Sequence, residues 1–345
     1  MRVAFLIDAP SVGGGGEYVR LLSEHLGESF ESRVFYSARG ECAARVVNAW
    51  YPDVIHVNHV RALLQLFAFP WRHPVAPVVF TVHGIHLRKY DFLPKTAANR
   101  LRRLFRLALE RRLYGKCARL IALTETDAKD LRRIYRTKTP ICVIPNGVDG
   151  KEAREGADAC DGGAYAFVSI ARFDFQKGQD VLLRAIAKAQ QELRSRGRRT
   201  LLIGGGETLA AMRRLAEELG IGDLVTFAGE VRGASRCLDR GRVLIAPSRW
   251  EGFPLLLCEA GLRRKYVIAS DCPGNRDVVV DGRSGRLFPV EDADALADLL
   301  RQDYPDEAVA RVGAALAVRV RSEFSVGRMT AATRTAYAAC LPERR

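Results

Sequence analysis

The sequence has no stretch of about 18 consecutive apolar residues, the length a membrane-spanning helix needs, although hydrophobic residues make up 48% of its 345 positions. Its short amino-terminal apolar run leads straight into glycines, which reads as a buried strand and not as a signal peptide. The eight cysteines stand at 42, 117, 142, 160, 237, 258, 272 and 340, and none forms a C-x-x-C pair. That spacing indicates neither a zinc site nor a disulfide framework, and thiols in a reducing cytoplasm are expected. The glycine run at 13–16 is neither a G-x-G-x-x-G fingerprint nor a Walker loop, because no Lys-Ser or Lys-Thr follows it. Aromatic residues are few where they would matter for nucleic acid. Between 88 and 138 they are Tyr90, Phe92, Phe105, Tyr114 and Tyr135, mostly at helix-core spacing. Base-stacking platforms are therefore not expected. There is no low-complexity tract, and no repeat beyond an alternation of strands and helices.

What is present is basic. Lys and Arg number 54 against 40 Asp and Glu, a formal net charge of +14. Residues 88–138 hold 16 of those cations and only 5 of the anions, a net of +11. An anionic membrane face, an acidic substrate or a nucleic acid would each suit such a segment on charge alone. Residues 96–117 can form one helix in which Leu101, Leu104, Phe105, Ala108, Leu109 and Leu113 make an apolar stripe. Arg100, Arg102, Arg103, Arg106, Arg111 and Arg112 surround it. The stripe alone reads best as a core-facing surface; the arginines exceed what solubility requires and favour an anionic surface.

The length suits two domains of about 150–180 residues. Short apolar, β-branched runs bounded by breakers predict strands. In the first half they lie at 2–7, 33–38, 53–58, 78–84, 120–124 and 141–149. The polar, glycine-rich stretch 150–163 is the best linker. The pattern then restarts at 166–172, 200–207, 225–231, 243–246 and 266–270. Strand, glycine turn at 8–16 and helix from Glu17 open a doubly wound unit. The expected division is 1–150, 151–325 and a terminal helical segment 326–345.

Ligands of open α/β sheets bind beyond the carboxyl ends of the strands. Two such ends fall in the stretch 243–280, followed by the loops SRWEGFP and DCPGNRD. Pro254 suits the first helical position, where no N–H is needed, and the helix start offers N–H groups to phosphate or sugar oxygens. Glu251 lies at the mouth of that helix and Glu259 on its flank. Arg172 and Lys177 flank the loop after 166–172, and a guanidinium with an ammonium at a strand end is what a diphosphate requires. His83 stands at another carboxyl strand end, where a lone histidine is more often structural.

Pro247-Ser248, Glu251-Gly252-Phe253-Pro254 and Glu259-Ala260 together resemble the signature of retaining glycosyltransferases of family 4. The resemblance implies a GT-B fold, two doubly wound Rossmann-like α/β domains facing a cleft. It implies a nucleotide-diphosphate sugar as donor substrate, with no separate cofactor. It places Glu251 beside the transferred sugar and Glu259 on the donor's ribose hydroxyls, with Gly252, Phe253, Pro254 and Leu255 lining the donor. Thr81-Val82-His83-Gly84 is similar to an element whose histidine faces the donor sugar. Arg172 and Lys177 match an Arg-x4-Lys pair. Gly14, Gly15 and Gly16 resemble a Gly-Gly-x-Glu loop whose N–H groups approach the diphosphate. Pro145-Asn146-Gly147-Val148-Asp149 and the 281–288 turn are also family-like, and the final helix would cross back to the first domain. Asp277 departs from the family's glutamate, which leaves its role open.

Transfer of a sugar, UDP- or GDP-linked, to an acceptor hydroxyl with retention is therefore expected, in polysaccharide, lipopolysaccharide or other glycoconjugate synthesis. With two cations at hand and no Asp-x-Asp element evident, no metal is expected. Glu251 either hydrogen-bonds the sugar or stabilises the oxocarbenium-like state. The expected acceptor is a saccharide or a lipid-linked one, and the expected place is the inner face of the cytoplasmic membrane, held peripherally. A sugar-nucleotide epimerase or a phosphorylase of the same fold is the alternative; a nucleic-acid-binding protein is a weaker one.

Overall fold

The computed structural model describes residues 1–8, 14–37, 43–67, 73–149, 164–231 and 233–341. Short apolar runs become parallel strands. β1 (Arg2–Ile7), β2 (Glu31–Tyr36), β3 (Val54–Val57), β4 (Val78–Val82), β5 (Arg119–Ala122) and β6 (Ile141–Val143) form one sheet in the order β2-β1-β3-β4-β5-β6. β7 (Tyr165–Ile170), β8 (Thr200–Ile203), β9 (Val225–Gly229), β10 (Gly241–Ala246), β11 (Tyr266–Ser270) and β12 (Arg286–Phe288) form the other, ordered β12-β11-β10-β7-β8-β9. Parallel sheets carry helices on both faces, so their strands read as unbroken apolar runs. Every residue of β3, β4, β8 and β11 is buried.

Both orders reverse once. In the first sheet the chain changes its direction of growth between β1 and β3, in the second between β7 and β10. Such a switch point opens a crevice at the carboxyl ends of the two strands.

The chain divides into two units, Met1–Gly147 with Phe324–Arg345, and Val148–Glu323. In the first, the Val326–Ala338 helix shares a core with β1 and the Gly14–His25 helix through Val326, Met329, Ala336 and Tyr337. His56 lies at the centre of that contact, wholly buried. Its Nδ1 lies 2.6 Å from the Tyr337 hydroxyl and its Nε2 2.6 Å from that of Thr81. Burial, and then the charge of His83, pushes its pKa down to about 3, so the ring is neutral.

Three elements depart from the sequence expectation. The first helix begins at Gly14 rather than Glu17. Residues 286–288, expected as part of a turn, form β12 on the sheet edge. Cys237 is disulfide-bonded, where a thiol was expected; Cys117, Cys142, Cys258, Cys272 and Cys340 are thiols.

Candidate active site

At the second switch point, β7 leads into a single tight turn, Phe175–Lys177, and then the Gln179–Lys188 helix. β10 leads into the loop that ends at Pro254, which caps the Leu255–Leu262 helix. Pro254 thus sits at the N-cap, one position before the first helical residue Leu255, and not at the first helical position expected for it. Lys177 Nζ lies 2.6 Å from Glu251 Oε1, and the Ser248 hydroxyl donates to the same oxygen at 2.7 Å. Glu251 is 8% exposed. The Gln176 side-chain amide donates to the Trp250 carbonyl at 2.8 Å, so the two loops are joined by a neutral hydrogen bond as well as by charge.

Two glycines allow this approach. Gly178, at φ +66°, has a Pro247 carbonyl oxygen where a Cβ would come within 2.2 Å. Gly274, at φ +89°, lies against Glu251, and a Cβ there would meet Glu251 Cβ at 2.8 Å. L side chains rarely adopt that conformation. The β11 loop therefore packs directly on Glu251. Asp277 closes that loop by accepting a hydrogen bond from the Gly274 N–H at 3.0 Å, which makes it a local cap.

Of the other sequence candidates, Arg172 shares the Lys177 loop but points to Asp174, 2.6 Å away, with its side chain 70% exposed. Gly252, Phe253 and Pro254 are buried; Leu255 and Glu259 are half-buried on the helix that follows. An Asp-x-Asp string does occur, at Asp292–Asp294, against the expectation. Asp292 caps a helix at Ala295 N–H, 2.9 Å, and Asp294 pairs with Lys188 at 2.8 Å.

Sequence reading missed Arg249. It is 5% exposed. Its guanidinium donates to both carboxylate oxygens of Asp180 at 3.0 and 2.9 Å, to Glu291 at 2.7 Å and to the Phe175 carbonyl at 2.7 Å. Burial works to raise the Asp180 carboxyl, but the hydrogen bonds and charges of Arg249 and Arg184 outweigh it and hold it below its usual range.

At the first switch point, Asp8 follows β1, Asn58 and His59 follow β3, and His83 follows β4. The Asp8 N–H donates to His59 Nδ1 at 3.3 Å, so a neutral ring there carries its proton on Nε2. His83 Nε2 lies 3.2 Å from Asn58 Oδ1. Burial first, then the charges of His59 and His86, lower the His83 pKa to about 3. Burial also lowers His59, partly opposed by Asp8. Gly14, Gly15 and Gly16 open the Gly14–His25 helix, and a Cβ on Gly15 would come within 2.9 Å of His59 Nε2. His59 thus sits between the glycines and His83; its sequence signal was its place two residues past a strand end. The buried Asn58 Nδ2 has no hydrogen-bond partner among the described residues.

Comparison with known proteins gives the family. Residues 153–311 match the family of glycosyl transferases group 1, and residues 26–152 match Glycosyltransferase Family 4. D-inositol 3-phosphate glycosyltransferase of Streptomyces avermitilis is 33% identical over 332 residues, covering 87% of this chain and 69% of that protein. The chain belongs to the group 1 glycosyltransferases of family 4. The lipopolysaccharide core biosynthesis mannosyltransferase LpcC of Rhizobium leguminosarum bv. viciae is 28% identical over 284 residues, 76% of each chain. Among solved structures, sucrose-phosphate synthase from Thermosynechococcus elongatus is similar with a TM-score of 0.80 at 22% identity, over 98% of both chains. Anabaena HepE in complex with UDP and glucose is similar with a TM-score of 0.79 at 16% identity, over 98% of this chain and all of that one (100%). The fold is GT-B, and the protein is a hexosyltransferase that moves a sugar in glycoconjugate synthesis. The epimerase and nucleic-acid alternatives are not favoured.

One feature of this glycosyltransferase reverses its sequence expectation. The Ala97–Tyr114 helix, capped by the Thr96 hydroxyl at Asn99 N–H, buries Glu110, Leu113 and Tyr114. Leu101, Leu104 and Phe105 are instead 69%, 61% and 71% exposed. Only the carboxyl-terminal half packs on the sheet, so the forward part of the stripe faces outward among arginines. A groove of about 760 Å³ beside it is lined by Leu104, Leu107, Ala108, Arg111, Arg112 and Lys116, with Gly115. Among the described residues no helix is long and apolar enough to cross a membrane.

Proposed function

We propose that the donor is a UDP- or GDP-linked sugar, transferred with retention, and that its diphosphate is met by Lys177 and Arg172. The carrying observation is the 2.6 Å contact of Lys177 Nζ with Glu251 Oε1, braced by Ser248. Departure of the diphosphate builds negative charge, and a fixed cation stabilises that charge more in the transition state than in the ground state. Arg172, exposed at the strand end, adds a guanidinium fork. Glu251, already paired with an ammonium and a hydroxyl, is a poor nucleophile; this supports its reading as a group that orients and electrostatically supports the sugar. Glu259 binds the ribose hydroxyls. Gly14, Gly15 and Gly16 open a helix, Gly15 against His59, and N–H groups at a helix start suit donor oxygens. The transfer uses these cations in place of a metal.

The acceptor on this reading is a lipid-linked saccharide, and the enzyme works peripherally on an anionic membrane face. The outward Leu101, Leu104 and Phe105 among arginines support it. A panel of UDP-glucose, UDP-N-acetylglucosamine and GDP-mannose tests the donor by thermal stabilisation. At 100 times its Kd a true donor adds about 2.7 kcal/mol. EDTA should leave that shift unchanged. No stabilisation by any nucleotide sugar, or a shift restored only by added metal, would overturn the proposal.

A further inference from the structure

Arg249 lies inside the strand-end cluster, two residues before Glu251, and its contacts converge on one short turn. Its own N–H donates to the Gln176 carbonyl at 2.7 Å. Its guanidinium holds the adjacent Phe175 carbonyl at 2.7 Å and stacks 4.1 Å over the Phe175 ring. The residue thus grips two consecutive carbonyls just before Lys177. The grip is anchored at both ends. Asp180, in the first turn of the Gln179–Lys188 helix, takes two guanidinium N–H groups, and Glu291 takes Nε. Glu291 stands at φ +66°, a backbone region that costs a non-glycine residue energy and persists only where the surroundings hold it. Arg249 also directly follows Ser248, the residue whose hydroxyl fixes Glu251.

We infer that Arg249 is a positioning residue for sugar transfer: it fixes the Phe175–Lys177 turn against the Ser248–Glu251 loop, and so sets where the Lys177 ammonium stands. This rests on the reading of Lys177 as the cation that stabilises the leaving diphosphate. A planar, always-charged fork is needed, because it must satisfy a carboxylate, a second carboxylate and a carbonyl in one plane. Displacement of a catalytic group by about 1 Å costs about a hundredfold in rate.

The test uses the full chain with UDP-glucose and GDP-mannose as probes, following release of UDP or GDP. Arg249→Met should lower kcat about 10- to 100-fold while KM for the donor moves less than about threefold. Lys177→Ala should be slow in its own right. The double variant should fall within about threefold of Lys177→Ala alone, since both act through one group. If Arg249→Met does not fold, Asp180→Asn keeps the guanidinium, removes its charged anchor, and should show the same non-additivity at smaller size. Losses that multiply in the double variant, or a folded Arg249→Met or Asp180→Asn with wild-type kcat, would overturn the assignment of Arg249. Wild-type turnover in Lys177→Ala would instead sink the leaving-group reading itself, and this assignment with it.

Discussion

The two units keep their charge in different places. In the second, ions are drawn into the strand ends and paired there: Lys177 with Glu251, Arg249 with Asp180 and Glu291. In the first, the corresponding strand ends hold two imidazoles, His59 and His83, beside the single carboxylate of Asp8, with no cation paired to them among the described residues. His83 at a strand end and His56 inside β3 are both pushed to about 3, and Asn58 Oδ1 lies against His83. Most of that unit's excess positive charge lies on the outside, in residues 88–138, which carry a net +11, while Arg88 is buried against Asp127 and Asp130. Removing one partner of a buried pair leaves an uncompensated charge, whereas buried imidazoles cost nothing until they are asked to ionise. The second unit is thus suited to a ligand whose charge changes during reaction.

The sharpest break of this contrast is Lys177→Ala. Loss of a preorganised donor to developing charge costs about 100- to 1,000-fold in kcat, and donor affinity should change far less. A variant that loses affinity but not kcat would place the charge-handling elsewhere. Next in size is Glu259→Ala. Loss of a charged hydrogen bond costs about 1.5–3 kcal/mol, or about ten- to a hundredfold in the Kd for the nucleotide sugar measured by calorimetry. An unchanged Kd in a folded variant would remove Glu259 from the ribose.

Acid should act on the first unit before the second. The folded pKa of His56 and of His83 is lowered from an unfolded value of about 6.5 to about 3. Between those values the unfolded chain binds more protons, so stability present above pH ~6.5 falls as pH drops, by about 1.4 kcal/mol per unit for each ring. At pH 5 that amounts to about 2 kcal/mol each. Urea unfolding at pH 7.5 and 5 should show the first-unit transition moving most, and His56→Asn should remove about half of these two rings' share of the shift. A pH dependence identical in the variant would mean that His56 does not titrate on unfolding.

Much of the fold was legible because parallel strands buried on both faces leave unbroken apolar runs. Tyr266–Ser270 was expected at its observed bounds for that reason. β12 escaped because Arg286–Phe288 is three residues long on an edge. For the site, the letters around Glu251 and Lys177 were readable, but their contact spans 74 positions and belongs to the fold. Arg249 belongs to no spacing pattern in the sequence; its role rests on burial and on contacts with Phe175, Asp180 and Glu291. The 96–117 stripe failed for another reason: helical periodicity says which residues share a face and not what covers that face.

That stripe carries the smallest effect and the finest test of the contrast. Arg102 is exposed on the Ala97–Tyr114 helix. Arg106, one turn on, pairs with Glu110 at 2.7 Å, and Glu110 is 1% exposed and accepts the Tyr135 hydroxyl at 2.6 Å. The two arginines should therefore fail differently. Arg102→Gln should weaken partition onto anionic vesicles by about 1 kcal/mol, or about fivefold, and leave the unfolding midpoint where it was. Arg106→Gln should lower the midpoint, because the buried Glu110 loses its charge partner. Co-sedimentation with phosphatidylglycerol and with phosphatidylcholine vesicles, at low and high salt, reads the first effect; thermal unfolding reads the second. Binding that ignores lipid charge and salt would show that the outer arginines do not face a membrane. A midpoint lowered equally by both variants would show that they serve the fold alike.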